Sequence, residues 1–376
     1  MSTGLATGPE SPPASAVIIG TGMMGTSIGL ALSGRGTAVW LDDADPAAAR
    51  LAAELGAGRV LPSAGPPGGP AEVAILAMPP GAVPGALGRA QRAGLATWYT
   101  DVASVKEPPL RQAAELGCDL ASYVPGHPMA GRERSGPVAA RAELFAGLPW
   151  VICPGPATMP SGVLVVERLA LACGARPVRM LAGDHDRFVA LVSHVPHLVA
   201  GAMAAQLEGA PGAALALSGR GLRDVTRVAA GDPALWTDIL TANAGQVHEI
   251  LAEVAERLAI AARTLAEAAG GDPASRDRLA GLLESARAGT ARIPGKHDGP
   301  AQEYAIVSVV IGDRPGELAR LFAAAGAAGI NIEDIRIEHS PGLPAGVAEL
   351  SVGPEAAGWL AKALEEGGWP VASPRD

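Results

Sequence analysis

Near its beginning the chain reads Ala16-Val17-Ile18-Ile19-Gly20-Thr21-Gly22-Met23-Met24-Gly25, an apolar run that ends in a glycine-rich turn. The run 16–19 predicts a buried parallel strand, and the residues that follow the turn have a helical pattern. A second strand is predicted at 37–41, which completes a strand–helix–strand unit. The alternation continues through apolar runs at 73–77, 97–101, 123–125 and 150–153. This order predicts an α/β fold with a doubly wound, Rossmann-type parallel sheet.

The glycine spacing in the turn matches the G-x-G-x-x-G fingerprint of dinucleotide binding, and it stands between a predicted strand and a predicted helix as that fingerprint requires. Asp42 ends the next strand about twenty residues later, where a carboxylate accepts hydrogen bonds from ribose hydroxyls and repels a 2′-phosphate. We therefore expect NAD in preference to NADP. The expected cofactor contacts are Gly20, Thr21, Gly22, Met23, Met24, Gly25, Asp42 and Asp101.

Composition limits the class of protein. The 376 residues are enough for two or three domains, 48% of them are apolar, and the net charge of −9 argues against a nucleic-acid partner. The three cysteines have no metal-like spacing and indicate free thiols in a reducing compartment. The first 13 residues lack the pattern of a signal peptide, and no run of 18 apolar residues exists. We expect a cytoplasmic protein with a disordered leader at 1–13 and no membrane association.

The pattern changes after residue 183. Alanine- and leucine-rich segments at helical spacing cover 184–208, 213–229, 233–269 and 273–288, with no convincing strand. Asp232 followed by Pro233 predicts a helix start, because the aspartate caps free N–H groups and proline is tolerated in the first turn. The sequence thus predicts a dinucleotide-binding domain at 14–182 and an all-helical substrate and dimerisation domain at 183–290. A homodimer is expected.

A third domain is predicted at 302–376, after a polar linker at 291–301. Strands at 303–310, 330–337 and 346–352 and helices at 317–328 and 354–366 suggest a small ferredoxin-like α+β module. Its segments Asp313-Arg314-Pro315-Gly316-Glu317-Leu318 and Gly329-Ile330-Asn331-Ile332 resemble the ACT family of amino-acid-binding regulatory domains. The resemblance implies an amino-acid effector, for which tyrosine is the natural candidate, bound near Asp313, Pro315, Gly316 and Asn331. The alternative is a module that only dimerises.

A candidate catalytic histidine stands in His127-Pro128-Met129-Ala130-Gly131, which we interpret as an irregular loop after a strand. Oxidation of an alcohol requires a group that accepts the hydroxyl proton, and a neutral histidine suits this task. Ser104 lies in Thr100-Asp101-Val102-Ala103-Ser104-Val105-Lys106, at the end of another strand, where ligands bind in such sheets. Its alternative role is to cap the following helix. Lys106 is interpreted as a solvated or structural charge.

Together the glycine-rich turn, residues 100–106 and the His127 segment resemble the prephenate dehydrogenase family of tyrosine biosynthesis. The resemblance implies NAD-dependent oxidative decarboxylation of prephenate to 4-hydroxyphenylpyruvate. It assigns His127 to the substrate hydroxyl that is oxidised, and Ser104 to a hydrogen bond with this histidine and the hydroxyl.

The same resemblance places further residues of the helical domain at the substrate. His194 lies in the pocket and Arg227 binds a carboxylate of the substrate, since guanidinium groups match carboxylates bidentately. Asp224 supports the pocket and Trp236 lines it, whereas His197 is second to the pocket or structural. Arg223 is as compatible with a surface ion pair. His194 and His197 share a helix face, but no third ligand is at a useful spacing, so we expect no metal.

One departure from the family pattern follows His127. Many relatives carry serine or threonine before the glutamate, whereas this chain has Arg132 before Glu133. These two residues are further candidates for substrate binding, and Arg132 is a candidate discriminator between prephenate and arogenate. The alternatives are therefore an arogenate dehydrogenase, or a non-catalytic amino-acid sensor on the same fold. A hydroxyacid dehydrogenase with a helical lysine base is disfavoured, because residues 181–290 contain no lysine.

Overall fold

The computed structural model describes residues 11–131, 136–293, 304–339 and 345–375. The chain divides into two compact units, residues 1–256 and 257–376. Residues 1–10 of the predicted leader and most of the predicted linker lie outside the described residues. Pro13, at the end of that leader, is buried, and its carbonyl accepts a hydrogen bond of 2.8 Å from the Thr37 hydroxyl. The last residue of the predicted leader is therefore packed against the start of the strand Ala38–Asp42.

The first unit contains a six-stranded, entirely parallel sheet in the order β3-β2-β1-β4-β5-β6. Its strands are β1 (Ser15–Ile19), β2 (Ala38–Asp42), β3 (Arg59–Val60), β4 (Ala71–Leu76), β5 (Ala96–Asp101) and β6 (Tyr123–Val124). The helices that connect them are α1 (Met23–Ser33), α2 (Pro46–Glu54), α3 (Val83–Arg92) and α4 (Glu107–Glu115). The strand order reverses between β1 and β4, which opens the crevice where such sheets bind ligands. The predicted doubly wound sheet is confirmed.

The sheet is buried on both faces. In β1, Ala16 and Ile18 belong to one apolar cluster and Val17 to another, and all three are fully buried. Because neighbouring side chains of a strand point to opposite faces, a continuous apolar run is what a covered parallel sheet requires.

A separate three-stranded sheet follows, in the order β7-β8-β9, with β7 (Gly126–Pro128), β8 (Pro149–Ile152) and β9 (Arg176–Arg179). Helix α5 (Pro160–Ala172) precedes β9. The interpretation of the His127 segment as an irregular loop is wrong, because His127 pairs with Val151 in the antiparallel β7–β8 ladder. Pro128 fits there because β7 is an edge strand, where a missing N–H breaks no ladder bond.

The helical region consists of α6 (Ala182–Val189), a π-helical turn (Ala190–His194), α7 (Val195–Ala205), α8 (Gly212–Leu215), α9 (Arg220–Thr226), a 3₁₀ turn (Arg227–Ala230), α10 (Pro233–Ala242), α11 (Ala244–Ala269) and α12 (Ser275–Thr290). The predicted start at Asp232 is confirmed, since its carboxylate accepts the N–H groups of Ala234 and Leu235. The predicted single helix over 233–269 is interrupted at Asn243. The continuous stretch Ala182–Ala205 is the one described helix long and apolar enough to cross a membrane by length and composition alone.

The second unit contains a four-stranded antiparallel sheet in the order β11-β12-β10-β13. The chain order is β10 (Ala305–Gly312), α13 (Glu317–Ala327), β11 (Asp334–His339), β12 (Ala345–Val352), α14 (Pro354–Glu366) and β13 (Val371–Arg375). The five predicted elements are present within a few residues of their predicted bounds. Strand β13 was not predicted, because its sequence Val-Ala-Ser-Pro-Arg has neither an apolar run nor clear alternation.

Candidate active site

The glycine-rich turn connects β1 to α1, and two of its glycines have no room for a side chain. Gly20 has φ +102°, and a Cβ atom there would lie 2.2 Å from the carbonyl oxygen of Ala77. A Cβ atom on Gly25 would lie 1.9 Å from the carbonyl oxygen of Gly20. At Gly22, by contrast, a Cβ atom would meet nothing within 4 Å among the described residues. The turn is therefore tightly packed beneath and open at Gly22, where the N-terminus of α1 can receive an anion.

Two neighbouring aspartates at the end of β2 have different surroundings. The carboxylate of Asp43 accepts hydrogen bonds from the N–H and the hydroxyl of Thr21, at 2.6 and 2.8 Å. Burial would raise the pKa of Asp43, but the hydrogen bonds from Thr21 and Asp45 outweigh it and lower this pKa. Asp43 thus holds the turn, while Asp42 is exposed at the strand end. Thr21 is fully buried, so its side chain supports the turn from inside.

Asp101 and Lys106 form a fully buried ion pair. The Lys106 ammonium also donates to the carbonyl oxygen of Gly126, the residue before His127. The Tyr123 hydroxyl donates to the second oxygen of Asp101 at 2.6 Å, and burial followed by the Asp101 charge raises the pKa of Tyr123 well above its usual value. The interpretation of Lys106 as a solvated charge is therefore wrong. The sequence predicts that Asp101 contacts the cofactor. Its side chain is instead fully buried and enclosed by these partners.

His127 is partly exposed and heads a chain of hydrogen bonds. Its Nδ1 lies 2.8 Å from Nε2 of His185, and Nδ1 of His185 lies 2.7 Å from Oδ1 of Asp186. Burial, with the facing groups His185, Lys106 and His194, holds the pKa of His127 well below 6.5. His127 is therefore neutral near pH 7 and able to accept a proton.

Helix α4 begins on the carboxylate of Asp186. The backbone N–H groups of Lys106 and Glu107 donate to its two oxygens at 2.8 and 2.9 Å. The alternative role of Ser104 as the cap of this helix is wrong, because α4 begins at Glu107 and its cap position is Lys106. Ser104 is partly buried, and within the described residues the structure shows no hydrogen bond between it and His127.

His194 ends the π-helical turn and is buried. The side-chain amide of Asn243 lies 3.1 Å from Nδ1 of His194 and donates to the carbonyl oxygen of Asp186 at 2.8 Å. Burial is the main reason why the pKa of His194 falls to about 4. Since the Asn243 amide is a donor, neutral His194 carries its proton on Nε2 and can donate to a ligand.

Trp236 joins the two histidines of the helical region. Its ring makes an edge contact with His194, with 6.2 Å between ring centroids, and stacks on His197 at 3.6 Å. His197 thus packs against the tryptophan, in keeping with the structural role expected of it.

The arginines of the expected substrate site lie on the surface of this chain. Helix α9 ends at Thr226, and Arg227 begins the 3₁₀ turn that packs against α7, the helix that follows His194. Arg223, Asp224 and Arg227 are exposed, and Asp224 lies 3.4 Å from Arg220. Arg132 and Glu133 lie outside the described residues.

The structure therefore brings together His127, His185, Asp186, Asn243 and His194. Three of these, His185, Asp186 and Asn243, were not singled out in the sequence. A signal was present for two of them, because Asp184-His185-Asp186 sets a histidine between two carboxylates at the start of an apolar helix. Nothing local marks Asn243.

The lowered pKa values of His127 and His194 predict a dependence of stability on pH. The pKa values of His127 and His194 are below 6.5 in the folded chain, so the unfolded chain binds more protons between pH 6.5 and about 4. The contribution of the two neutral histidines to the free energy of unfolding is fully present above pH 6.5. It is lost as the pH falls towards their pKa values in the folded chain. We expect a lower urea midpoint at about pH 5 than at about pH 7. His194→Gln should reduce this difference and His248→Gln, at an exposed site, should not; equal midpoints at both pH values would contradict the assignment.

Comparison with known proteins identifies the family to which this chain is similar. Residues 28–179 match the family described as prephenate dehydrogenase, nucleotide-binding domain, and residues 182–280 match prephenate dehydrogenase, dimerization domain. The Streptomyces niveus protein named "Probable prephenate dehydrogenase NovF" is 39% identical over 95% of this chain and 99% of its own length.

Solved structures of related enzymes share the fold. Prephenate dehydrogenase from Aquifex aeolicus, in complex with hydroxyphenyl propionate and NAD+, is 24% identical with a TM-score of 0.64, over 74% of this chain and 98% of the other. Arogenate dehydrogenase from Synechocystis is 23% identical with a TM-score of 0.61, over 73% and 98%. The long match to a relative and the two domain matches carry the assignment: this chain belongs to the prephenate dehydrogenase family of NAD-dependent dehydrogenases.

Proposed function

We propose that this chain catalyses the NAD-dependent oxidative decarboxylation of prephenate to 4-hydroxyphenylpyruvate in tyrosine biosynthesis. The observation that carries the proposal is His127, a partly exposed histidine whose pKa is held well below 6.5. A neutral imidazole suits this oxidation, because the hydroxyl proton must leave as the carbon loses hydride. Bound NAD supplies the hydride acceptor.

His127 accepts the hydroxyl proton on its free ring nitrogen. The substrate ring then loses carbon dioxide from its quaternary carbon, and the electrons of the broken bond pass through the ring to the carbonyl oxygen, which takes up a proton as the ring becomes aromatic. Because aromatisation drives this step, the protein mainly orients the substrate and handles one proton. Ser104 is assigned to the hydroxyl beside His127.

The cofactor is assigned to the open side of the glycine-rich turn. Gly20, Gly22 and Gly25 shape the turn for the pyrophosphate, with Thr21, Met23 and Met24 around it, and the exposed Asp42 accepts from the ribose hydroxyls. The carboxylate at Asp42 favours NAD over NADP by repulsion of a 2′-phosphate.

The carboxylates of the substrate are assigned to His194 and Arg227, with Trp236 as a wall, Asp224 as support, and Arg132 and Glu133 at the pocket mouth. His194 contributes a neutral N–H donor. Arg227 contributes the cation, and the packing of its turn on α7 supports a place near His194.

Arg227→Ala should raise the KM for prephenate about 10- to 100-fold, because a charged hydrogen bond contributes about 1.5–3 kcal/mol. The affinity for NAD should not change. Arg223→Ala removes the same type of side chain one helical turn earlier and serves as the matched control in steady-state kinetics. Equal KM values for the two variants would show that Arg227 does not bind a carboxylate of the substrate.

The direct test of the function is NADH formation from NAD with prephenate or with arogenate. Rapid turnover of prephenate is the expected result. Preference for arogenate would keep the mechanism and change the substrate, since the two differ only in an amino group in place of a keto oxygen. No turnover with either substrate, with NAD still bound, would favour a sensor.

A homodimer is part of the proposal. The stretch that carries His194 exposes Phe188 (50%), Leu191 (58%) and Val192 (65%), and apolar side chains grouped on a surface are typical of an interface. The match to a dimerization domain supports a second copy as the cover. A soluble cytoplasmic dimer accounts for this apolar stretch without a membrane.

The module 302–376 is assigned to a ferredoxin-like, ACT-type regulatory domain, and its strand order with two helices supports this. The expected effector residues Asp313, Pro315 and Gly316 precede α13, whereas Asn331 follows it, so they lie at opposite ends of an 11-residue helix. An amino acid that touches both ends therefore binds between two copies of the module. Inhibition of turnover by tyrosine tests this assignment; no effect of tyrosine would leave a module that only dimerises.

A further inference from the structure

The pair His185–Asp186 has no role in the mechanism above, yet both side chains are almost fully buried. The carboxylate of Asp186 accepts from two backbone N–H groups at the first turn of α4. The free N–H groups and the dipole of a helix start favour a negative charge there. An ionised carboxylate has no proton to give, so Nδ1 of His185, 2.7 Å from Oδ1, is the donor in their hydrogen bond.

This donor assignment fixes the next hydrogen bond. A neutral imidazole carries one proton, so a proton on Nδ1 of His185 leaves its Nε2 bare. That Nε2 is 2.8 Å from Nδ1 of His127 and can only accept, which makes Nδ1 of His127 the donor. The opposite tautomer of His127 would set two bare nitrogen atoms against each other at this distance. Neutral His127 consequently has its lone pair on Nε2.

We propose that His185 and Asp186 are positioning residues, which hold His127 in the tautomer whose Nε2 accepts the hydroxyl proton of the substrate. The catalytic consequence rests on the proposed function. The tautomer itself is a property of the folded chain and can be measured without substrate.

The arrangement also accommodates the charge that forms during the reaction. When Nε2 of His127 gains the hydroxyl proton, the ring becomes an imidazolium that still donates from Nδ1 to His185. The negative charge of Asp186 faces this imidazolium through one neutral ring, so the charge is stabilised without movement of a heavy atom. The other groups that face His127 are Lys106 and His194, which oppose its protonation.

Lys106 fixes both ends of the chain of hydrogen bonds. Its backbone N–H binds Asp186, and its ammonium binds the carbonyl oxygen of Gly126, next to His127. Asn243 holds the backbone carbonyl of Asp186 from the opposite side. Three further hydrogen bonds therefore fix the position of Asp186 relative to His127.

The first test reads the tautomer by nitrogen NMR of the full-length protein labelled with ¹⁵N-histidine, with His127→Asn used to assign the signals. We expect a protonated Nδ1 and a bare Nε2 on His127 in the wild type near pH 7. In Asp186→Asn, an amide N–H₂ can face His185 and reverse both tautomers. Asp272→Asn is the matched control, because Asp272 also accepts a backbone N–H, from Ala274, ahead of a helix. A bare Nδ1 on His127 in the wild type would overturn the proposal.

The second test compares His185→Gln with His185→Phe. The glutamine oxygen can accept from His127 and its amide can donate to Asp186, whereas phenylalanine fills the space and does neither. We expect His185→Phe to lower kcat by about 10²- to 10⁴-fold, the range for loss of a correctly oriented base, and His185→Gln to recover at least about tenfold of it. The KM for prephenate and the Kd for NAD should stay the same in both variants.

Equal kcat values in the two folded variants would show that His185 only fills space. Thermal unfolding checks that both variants fold, and the NMR result on the wild type decides the tautomer if either does not. If the protein turns over neither prephenate nor arogenate, the proposed function is wrong. The NMR measurement still decides the tautomer of His127 in that case.

Discussion

His127→Asn should lower kcat for prephenate by about 10²- to 10⁴-fold, because the variant loses the group that accepts the hydroxyl proton. Asparagine keeps a polar side chain at this position of β7 but has no basic nitrogen. The Kd for NAD should hardly change, since the cofactor is assigned to the turn after β1. Steady-state kinetics and NAD titration measure the two effects separately.

The matched control is His248→Asn, at an exposed position of α11 outside the site. Its kcat should equal that of the wild type. A loss of less than about tenfold in His127→Asn would exclude proton transfer to His127 as an important part of the reaction.

Lys106→Met should destabilise the chain by about 3–5 kcal/mol, because it leaves the fully buried carboxylate of Asp101 without its cation. The variant also removes the donor to the Gly126 carbonyl beside His127, so kcat should fall as well. Urea unfolding measures the stability change. Lys362→Met is the matched control: Lys362 is exposed and 3.9 Å from Glu366, where an ion pair contributes about 0–1 kcal/mol.

The double variant Asp101→Asn/Lys106→Met separates the charge from the hydrogen bonds, because the asparagine oxygen can still accept from the Tyr123 hydroxyl. With both charges removed, much of the lost stability should return, since no unpaired ion remains in the core. If Lys106→Met alone lowers the free energy of unfolding by less than about 1 kcal/mol, other groups compensate the buried charge of Asp101.

The sheet and the turn were predictable from sequence because their determinants are local. A four-residue apolar run, glycines at fixed spacing and an aspartate at the next strand end are all needed within one strand–helix–strand unit, and the structure shows why at Gly20 and Gly25. The helix start at Asp232 was equally local.

The interior of the site was not predictable in this way. His185 lies 58 residues from His127, and Asp186 caps a helix 80 residues earlier, so no local pattern connects them. The sequence leaves Lys106 open between a solvated and a structural charge, because burial of a lysine depends on a partner that only the folded sheet brings to it. The Gly- and Pro-rich sequence around His127 favours a loop, whereas the pairing with β8 makes this segment an edge strand.

The role of neutral His127 is tested by kcat for wild-type oxidation of prephenate by NAD, measured as a function of pH. His127 works in its neutral form and its pKa is held well below 6.5, so turnover should be rapid near pH 7 and stay level as the pH falls through 6.5. Absence of NADH formation, or a loss of kcat with an apparent pKa at or above 6.5, would contradict a neutral His127 as the proton acceptor of a prephenate dehydrogenase.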